Sequence, residues 1–274
     1  MESIQAFRDH LIIEEKSEAT REKYLRDVVS FLSYLKDRPL IKEELISYKR
    51  MLIEEGYAPA SINSMLAGIN SYLSFLKRDD IKVKNLKIQK QVFCQKKKEL
   101  SKDEYQRLCL AARKKKNKKL YYILQTICST GIRVSELSYI TVEAVRKGEA
   151  VVSCKSKIRK IFLVKKLQRE LLKYIDSNNI ESGPIFLSKT GIPINRVSIW
   201  KQMKALCEQA NVDPDKVYPH NLRHLFARLF YRIKMDIAAL ADVLGHSNIS
   251  TTRIYIASSG EEHRSYLENL KLII

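Results

Sequence analysis

Residues 219–255 read PHNLRHLFARLFYRIKMDIAALADVLGHSNISTTRIY, and they bring two histidine positions, an arginine and a tyrosine into one short span at spacings that suit a single site. His220 and Arg223 stand three apart at the start of a helix, so their side chains project from nearly the same side. Leu222, Leu225, Phe226, Leu229, Phe230 and Ile233 recur at i, i+3, i+4, i+7, i+8 and i+11, one apolar stripe that predicts a helix with the His220–Arg223 pair at the edge of the core. A second helix is predicted over about residues 236–244, with Gly245 placed to end it in a left-handed conformation. His246 follows that stop at once. Ser247 or Asn248 can cap a third helix, whose closing turn carries Tyr255 nine residues beyond His246.

Two readings fit these residues. In one, a helix, a glycine turn and a second helix rich in Ser, Thr and Arg form a helix-turn-helix that lies in a DNA groove, and the histidines are incidental. In the other, Tyr255 attacks a phosphate that Arg223 neutralises, while the histidines supply hydrogen bonds and proton transfer. A tyrosine nucleophile needs such company, because its reference pKa is about 10 and near neutral pH only a base or adjacent positive charge makes it an effective phenolate. The stretch alone leaves both readings open.

Charge narrows the choice of partner. The 274 residues carry 50 Lys+Arg against 31 Asp+Glu, a formal net charge of +19, and nucleic acid is the commonest polyanion to explain it. Residues 1–90 hold 16 Lys+Arg against 14 Asp+Glu, so nearly all of the excess lies in residues 91–274, with 34 against 17. A basic membrane-surface protein is the other reading. Against it, the sequence has no long apolar run, no lipidation motif and no signal-like start, since MESIQAFRDH is amphipathic and mixed in charge. A cytoplasmic, nucleoid-associated protein without a membrane partner is expected. With 45% hydrophobic residues the chain can bury a core in one large or two ordinary domains. Cys94, Cys109, Cys128, Cys154 and Cys207 are odd in number, widely spaced and form no CxxC pair, so they are expected to be reduced and not to bind metal.

Residues 1–82 read as a helical domain. Its first helix spans about 3–15, with Ile4, Phe7, Leu11 and Ile12 on one face, and Thr20 caps a second that runs to residue 35 with Tyr24, Val28, Phe31, Leu32 and Leu35 as its stripe. A third spans about 42–55 and ends at Gly56. Pro59 and Ser61 open a fourth, in which Ile62, Leu66, Ile69, Leu73 and Leu76 repeat at helical spacing. Asn63, Ser64, Asn70, Ser71 and Ser74 around them leave room for a sugar-phosphate backbone, although an ordinary four-helix bundle explains the same composition. Residues 83–99, with no clean period and lysines at 96–98, read as a basic linker suited to tracking a duplex.

The second domain is expected over residues 100–274. Ser101 and Glu104 form a capping box, and Arg113, Lys114, Lys115, Lys116, Lys118 and Lys119 are the densest positive block in the chain. In STGIRVSEL, residues 129–137, Thr130-Gly131 reads as a turn that sets Arg133 at a helix start, where its guanidinium can bind a phosphate through two parallel hydrogen bonds. A salt bridge from Arg133 to Glu136 is the competing reading. Residues 149–164 change to the strand period, a hairpin whose tip around Lys155, Ser156, Lys157 and Ile158 exposes a lysine able to reach a cleft and protonate a leaving oxygen, or one that is simply solvated. Helices follow with Leu167, Leu171 and Ile175 facing inward and then over residues 196–210.

Taken in order, Arg133, the hairpin lysine, His220, Arg223, His246 and Tyr255 resemble the site of the tyrosine recombinases, the phage integrases and Xer-type recombinases. The resemblance covers essentially the whole chain, through TGIRVSEL, the hairpin, HNLRH and LGHSNISTTRIY. It implies a mainly α fold with a small antiparallel β-sheet: a helical, SAM-like core-binding domain and an α+β catalytic domain with a C-terminal tail. It implies that Arg133 and Arg223 clamp the scissile phosphate, in place of the Arg133–Glu136 ion pair, and that Tyr255 attacks to give a 3′-phosphotyrosine. His220 becomes a base or hydrogen-bond partner, His246 a donor to a non-bridging oxygen, Lys155 the general acid at the departing 5′ oxygen, and Glu136 a support from behind. The hairpin departs from the family's Gly-Lys-Gly context, since Cys154-Lys155-Ser156-Lys157 is one residue shorter. Lys155 is chosen because residues 160–163, KIFL, then align with the second strand, and Lys157 is held in reserve. Leu225 stands where threonine often occurs.

The resemblance also implies no metal, no cofactor and no ATP, because two arginines and a lysine provide the charge that Mg²⁺ provides elsewhere and the phosphotyrosine conserves bond energy. The implied partner is double-stranded DNA with paired inverted half-sites, bound in integration, excision or resolution, with an accessory directionality protein where direction is set. A homotetramer is implied, joined through the tail 257–274, whose Tyr266, Leu267, Leu270, Ile273 and Ile274 give a helix an apolar face for a neighbouring protomer, folding back onto its own domain being the competing reading. Two rivals remain: a type IB topoisomerase, opposed by the small helical N-terminal domain, and a non-catalytic helix-turn-helix protein, opposed by the complete residue set.

Overall fold

The computed structural model describes residues 2–88, 99–154, 157–246 and 248–256, and the chain divides into two compact units, Met1–Gln91 and Val92–Ile274. The linker residues 89–98 and the tail 257–274 lie outside the described residues.

The first unit consists of α1 (Glu2–Ile13), α2 (Glu18–Leu35), α3 (Lys42–Glu54) and α4 (Pro59–Phe75). Helical spacing puts Phe31 and Leu35 of α2, Leu45, Tyr48 and Leu52 of α3, and Ile62, Leu66, Ile69 and Leu73 of α4 into one buried cluster. Phe7 and Leu11 of α1 close a second against Val28 and Tyr72. Ile12, assigned to the same face, is 50% exposed at the end of α1. Helix α2 starts two residues earlier than Thr20 because Ser17 takes the extended N-cap backbone, with its hydroxyl 2.8 Å from that of Thr20. Pro59 opens α4. Asn63 and Asn70 are not left open for a DNA backbone. The Asn63 amide donates to Leu86 O (2.9 Å) and its oxygen accepts from Leu86 N (2.7 Å), while Asn70 treats Val83 in the same way, so these amides fasten residues 83–86 to the bundle.

The second unit runs α5 (Lys102–Lys114), α6 (Lys118–Thr130), a 3₁₀ turn (Val134–Tyr139), α7 (Val142–Lys147), β1 (Glu149–Cys154), β2 (Lys157–Phe162), α8 (Lys165–Ser177), α9 (Arg196–Lys204), α10 (Cys207–Ala210), α11 (Pro219–Lys234), α12 (Ile237–Leu244) and α13 (Ile249–Ile256). The Ser101–Glu104 capping box forms and starts α5. Ile123, Leu124 and Ile127 of α6 are fully buried among α5, α8 and α11 residues and form the centre of the core. The two strands pair antiparallel with Glu149 opposite Phe162 and Cys154 opposite Lys157, and alternation turns Ala150, Val152 and Ile161 inward and Ile158 and Phe162 outward. The helix expected over 196–210 is instead two, because Leu206 N bonds Met203 O in a tighter turn between α9 and α10. The segment after Gly131 is a 3₁₀ turn and not an α-helix, with Arg133 as its extended N-cap residue.

No helix among the described residues is long and apolar enough to cross a membrane.

Candidate active site

Two helix ends set the site. Gly131 ends α6 and Gly245 ends α12, both in the left-handed region (φ 65 and 66°), and each leaves terminal carbonyls without helical partners. Both positions need glycine for space as well as for φ. A Cβ on Gly131 would lie 2.4 Å from the Phe226 ring, and one on Gly245 would lie 2.4 Å from Cδ of Arg159.

Arg223 occupies the gap between those ends. Tyr218 takes an extended N-cap backbone, Pro219 opens α11, and one turn later the Arg223 guanidinium enters the interior, where the residue is 1% exposed. Its Nη1 donates to Gly131 O, its Nη2 donates to Leu244 O (2.7 Å), and Nη2 also lies 3.0 Å from His246 Nε2. An unpaired buried cation costs several kcal/mol, and here charge-assisted hydrogen bonds of about 1.5–3 kcal/mol each and the negative ends of two helices offset that cost. Burial, reinforced by Arg133, still pulls its pKa down to about 10. It stays a cation at neutral pH.

Because a guanidinium only donates, His246 Nε2 must accept from Arg223, and Nδ1 then carries the proton and donates to Thr252 Oγ1 at 2.9 Å. Burial, then Arg223, pull the His246 pKa down to about 4, which agrees with a neutral ring. Tyr255 is 6% exposed in a small cluster with Ala227, Leu240 and Leu244. Its hydroxyl is 3.2 Å from His220 Nε2, and its ring stacks on His246 (centroids 5.4 Å) and lies tilted against His224 (4.3 Å). His220 is held below its ordinary pKa by desolvation and by Arg223, Arg133 and Arg196, which favours the neutral imidazole able to accept the phenolic proton.

Across the cleft, Arg133 Nη1 donates to Glu136 Oε1 (2.9 Å) while the Arg133 backbone N–H donates to Oε2 (2.9 Å), and Arg159 Nη2 reaches the same Oε2 at 2.5 Å. Burial of Glu136 acts to raise its pKa, but the Arg133 N–H and the Arg159 and Arg133 guanidinium groups outweigh it and hold the carboxyl below its usual range. A cleft of about 530 Å³ lies between, lined by Arg133, Arg196, Trp200, His220 and Arg223 among others, with no acidic side chain among its described lining residues. Three guanidinium groups, of which Arg133 is already held by Glu136 from behind, line the cleft and suit an anion. Tyr255 is not in that lining and meets the cleft through His220.

Residues 98–262 match the phage integrase family, more than half of the chain, and residues 4–80 match the phage integrase N-terminal SAM-like domain. The chain belongs to the phage integrase family. Its relatives include tyrosine recombinase XerD of Oceanobacillus iheyensis, 29% identical over 92% of this chain and 92% of the relative, and tyrosine recombinase XerA of Pyrococcus horikoshii, 27% identical over 98% and 94%. Among solved structures, a lambda integrase dimer bound to a COC′ core site superposes with TM-score 0.74 over 93% of this chain and 94% of that one at 17% identity, and XerA recombinase with 0.56 over 100% and 99% at 24% identity, which shows a shared fold. As a tyrosine recombinase, the chain is an enzyme of DNA strand breakage and rejoining, and neither the topoisomerase nor the non-catalytic reading is favoured.

Of the residues singled out in the sequence of this integrase-family chain, Arg133, His220, Arg223, His246 and Tyr255 surround one corner of the second unit. Lys155 lies outside the described residues, and the side chain of its reserve, Lys157, does too. The pair expected at the edge of the core is split: Arg223 is interior and His220 exposed. Ile233, placed in the apolar stripe, is 83% exposed, because α11 outlasts the core beneath it. The Arg133–Glu136 ion pair and the cleft position coexist, so one nitrogen is tied to the carboxylate while the residue still lines the cleft. Sequence reasoning passed over His224, Thr252 and Arg159. Each had a signal: His224 is four after His220, Thr252 is three before Tyr255 on α13, and Arg159 alternates in phase with inward Ile161.

Proposed function

We propose that this chain is a site-specific DNA recombinase in which Tyr255 attacks the scissile phosphate. His220 accepts the phenolic proton, the phenolate oxygen bonds to phosphorus, and the bond from phosphorus to the 5′ oxygen breaks. Lys155 gives that leaving oxygen its proton. Arg133 and Arg223 meet the charge on the non-bridging oxygens, and His246 adds a donor once its Nε2 leaves Arg223 and the ring proton passes through solvent from Nδ1 to Nε2, with Nδ1 then accepting from the Thr252 hydroxyl. Attack by the 5′ hydroxyl of a second strand runs the steps backward, returns the protons and frees Tyr255, so the bond energy held in the phosphotyrosine suffices and no metal or ATP takes part. The observation that carries this reading is the contact from the Tyr255 hydroxyl to His220 Nε2 at 3.2 Å beside an arginine-lined cleft.

The partner is double-stranded DNA with paired inverted half-sites, and the working form is a homotetramer joined through residues 257–274, directed by an accessory protein where direction matters, at the nucleoid in the cytoplasm. Lambda integrase has been seen as a dimer on a core site and as a tetramer on a Holliday junction, which supports the oligomeric part of this reading. The test takes supercoiled plasmids carrying duplex sequences selected by the protein from a random pool, in excess EDTA. Recombinants that require two sites are expected. Relaxation without such sites would replace the recombinase with a topoisomerase, and an unchanged plasmid would leave only a binding protein.

A further inference from the structure

We infer that Arg159 is a positioning residue that sets the spacing of Arg133 across the phosphate cleft, an inference that rests on the recombinase reading above. Its side chain is 12% exposed and is not part of the cleft lining, so it does not meet DNA there. Its fork is divided: Nη2 donates to Glu136 Oε2 at 2.5 Å and Nη1 to Val243 O at 2.6 Å. Glu136 in turn holds both the backbone N–H and the guanidinium of Arg133.

The same two segments are therefore joined twice. Arg223 ties Gly131 O to Leu244 O, and Arg159 ties Glu136 to Val243 O. One tie leaves the 131–136 turn free to pivot about it, whereas two ties fix the turn that carries Arg133 against the helix end that carries His246. The second tie starts from β2, which is anchored by buried Ile161 next along the inward face. Gly245 has no Cβ where one would lie 2.4 Å from Cδ and 2.8 Å from Nε of Arg159, so the turn is cut back to let the arginine stem pass. An ion pair serving stability alone would need neither the divided fork nor the cleared turn.

A double-mutant cycle on cleavage rate tests this, with covalent adduct formation on a duplex selected by the protein as the readout. Arg159→Leu is expected to slow cleavage roughly tenfold in the otherwise wild-type protein, about the value of one charge-assisted hydrogen bond's alignment, but less than about twofold in an Arg133→Ala background, where the group it positions is gone. Arg159→Lys, which keeps the cation but reaches one acceptor at a time, is expected to fall between, and it carries the test if the leucine variant does not fold. The same loss in both backgrounds means a structural role only and overturns the inference, as does no loss in either. Failure of the underlying reading is seen separately, as an adduct formed by Tyr255→Phe.

Discussion

Arg133 and Arg223 line the same cleft, but the molecule holds them in opposite ways. Arg133, 37% exposed in its side chain, shares the Glu136 carboxylate with Arg159, so only part of its charge is answered there. Arg223 is 1% exposed and is bound to two neutral carbonyls at helix ends, so its positive charge is uncompensated. On the proposed reading, the difference teaches where the field for an anion comes from: the buried arginine supplies charge, while the paired one supplies an aimed donor on the turn that Glu136 and Arg159 contact. Burial that costs stability is here the means of keeping an unpaired cation beside the cleft.

The comparison predicts unequal losses. Arg223→Ala is expected to lower the rate of covalent adduct formation by at least about 10²–10³-fold, the scale for removing a preorganised donor, and Arg223→Lys by nearly as much because an ammonium cannot bridge Gly131 O and Leu244 O. Arg133→Ala should lose less, about 10²-fold or under, since part of its charge is already answered by Glu136. Single-turnover adduct formation measures both. An Arg133 loss larger than that of Arg223 would reverse the division of labour.

Much of this arrangement was legible in the sequence because it is local. The spacing within residues 219–255 marked His220, Arg223, His246 and Tyr255, and the two glycines marked the helix ends. What was not legible depends on tertiary distance. Nothing in the residue order says that the α6 and α12 carbonyls converge on one guanidinium, or that Asn63 and Asn70 reach forward to residues 83–86 and not outward to DNA. Arg133 posed a choice between ion pair and phosphate ligand that spacing cannot resolve, because both use the same helix-start geometry.

A smaller effect concerns stability. His224 and His246 are both pulled down to about 4, first by burial and then by neighbouring groups, with His220 leading for His224 and Arg223 for His246. In the unfolded chain each returns to about 6.5, so between those values the unfolded state binds more protons and stability falls as pH drops. Thermal melting of the DNA-free protein is expected to show a Tm that is flat above that window and declines through it. His224→Phe, which keeps an aromatic ring against Tyr255, should remove one contribution and shallow the decline. An unchanged slope would mean that His224 does not stay neutral in the folded protein.

The most direct measurement concerns the Tyr255 hydroxyl, the proposed nucleophile. Incubated with a selected duplex nicked to trap the cleaved strand, the wild-type protein is expected to accumulate a covalent protein–DNA adduct, and Tyr255→Phe to bind the same duplex with unchanged affinity and form none. An adduct from the Tyr255→Phe protein would contradict the assignment of Tyr255 as the nucleophile.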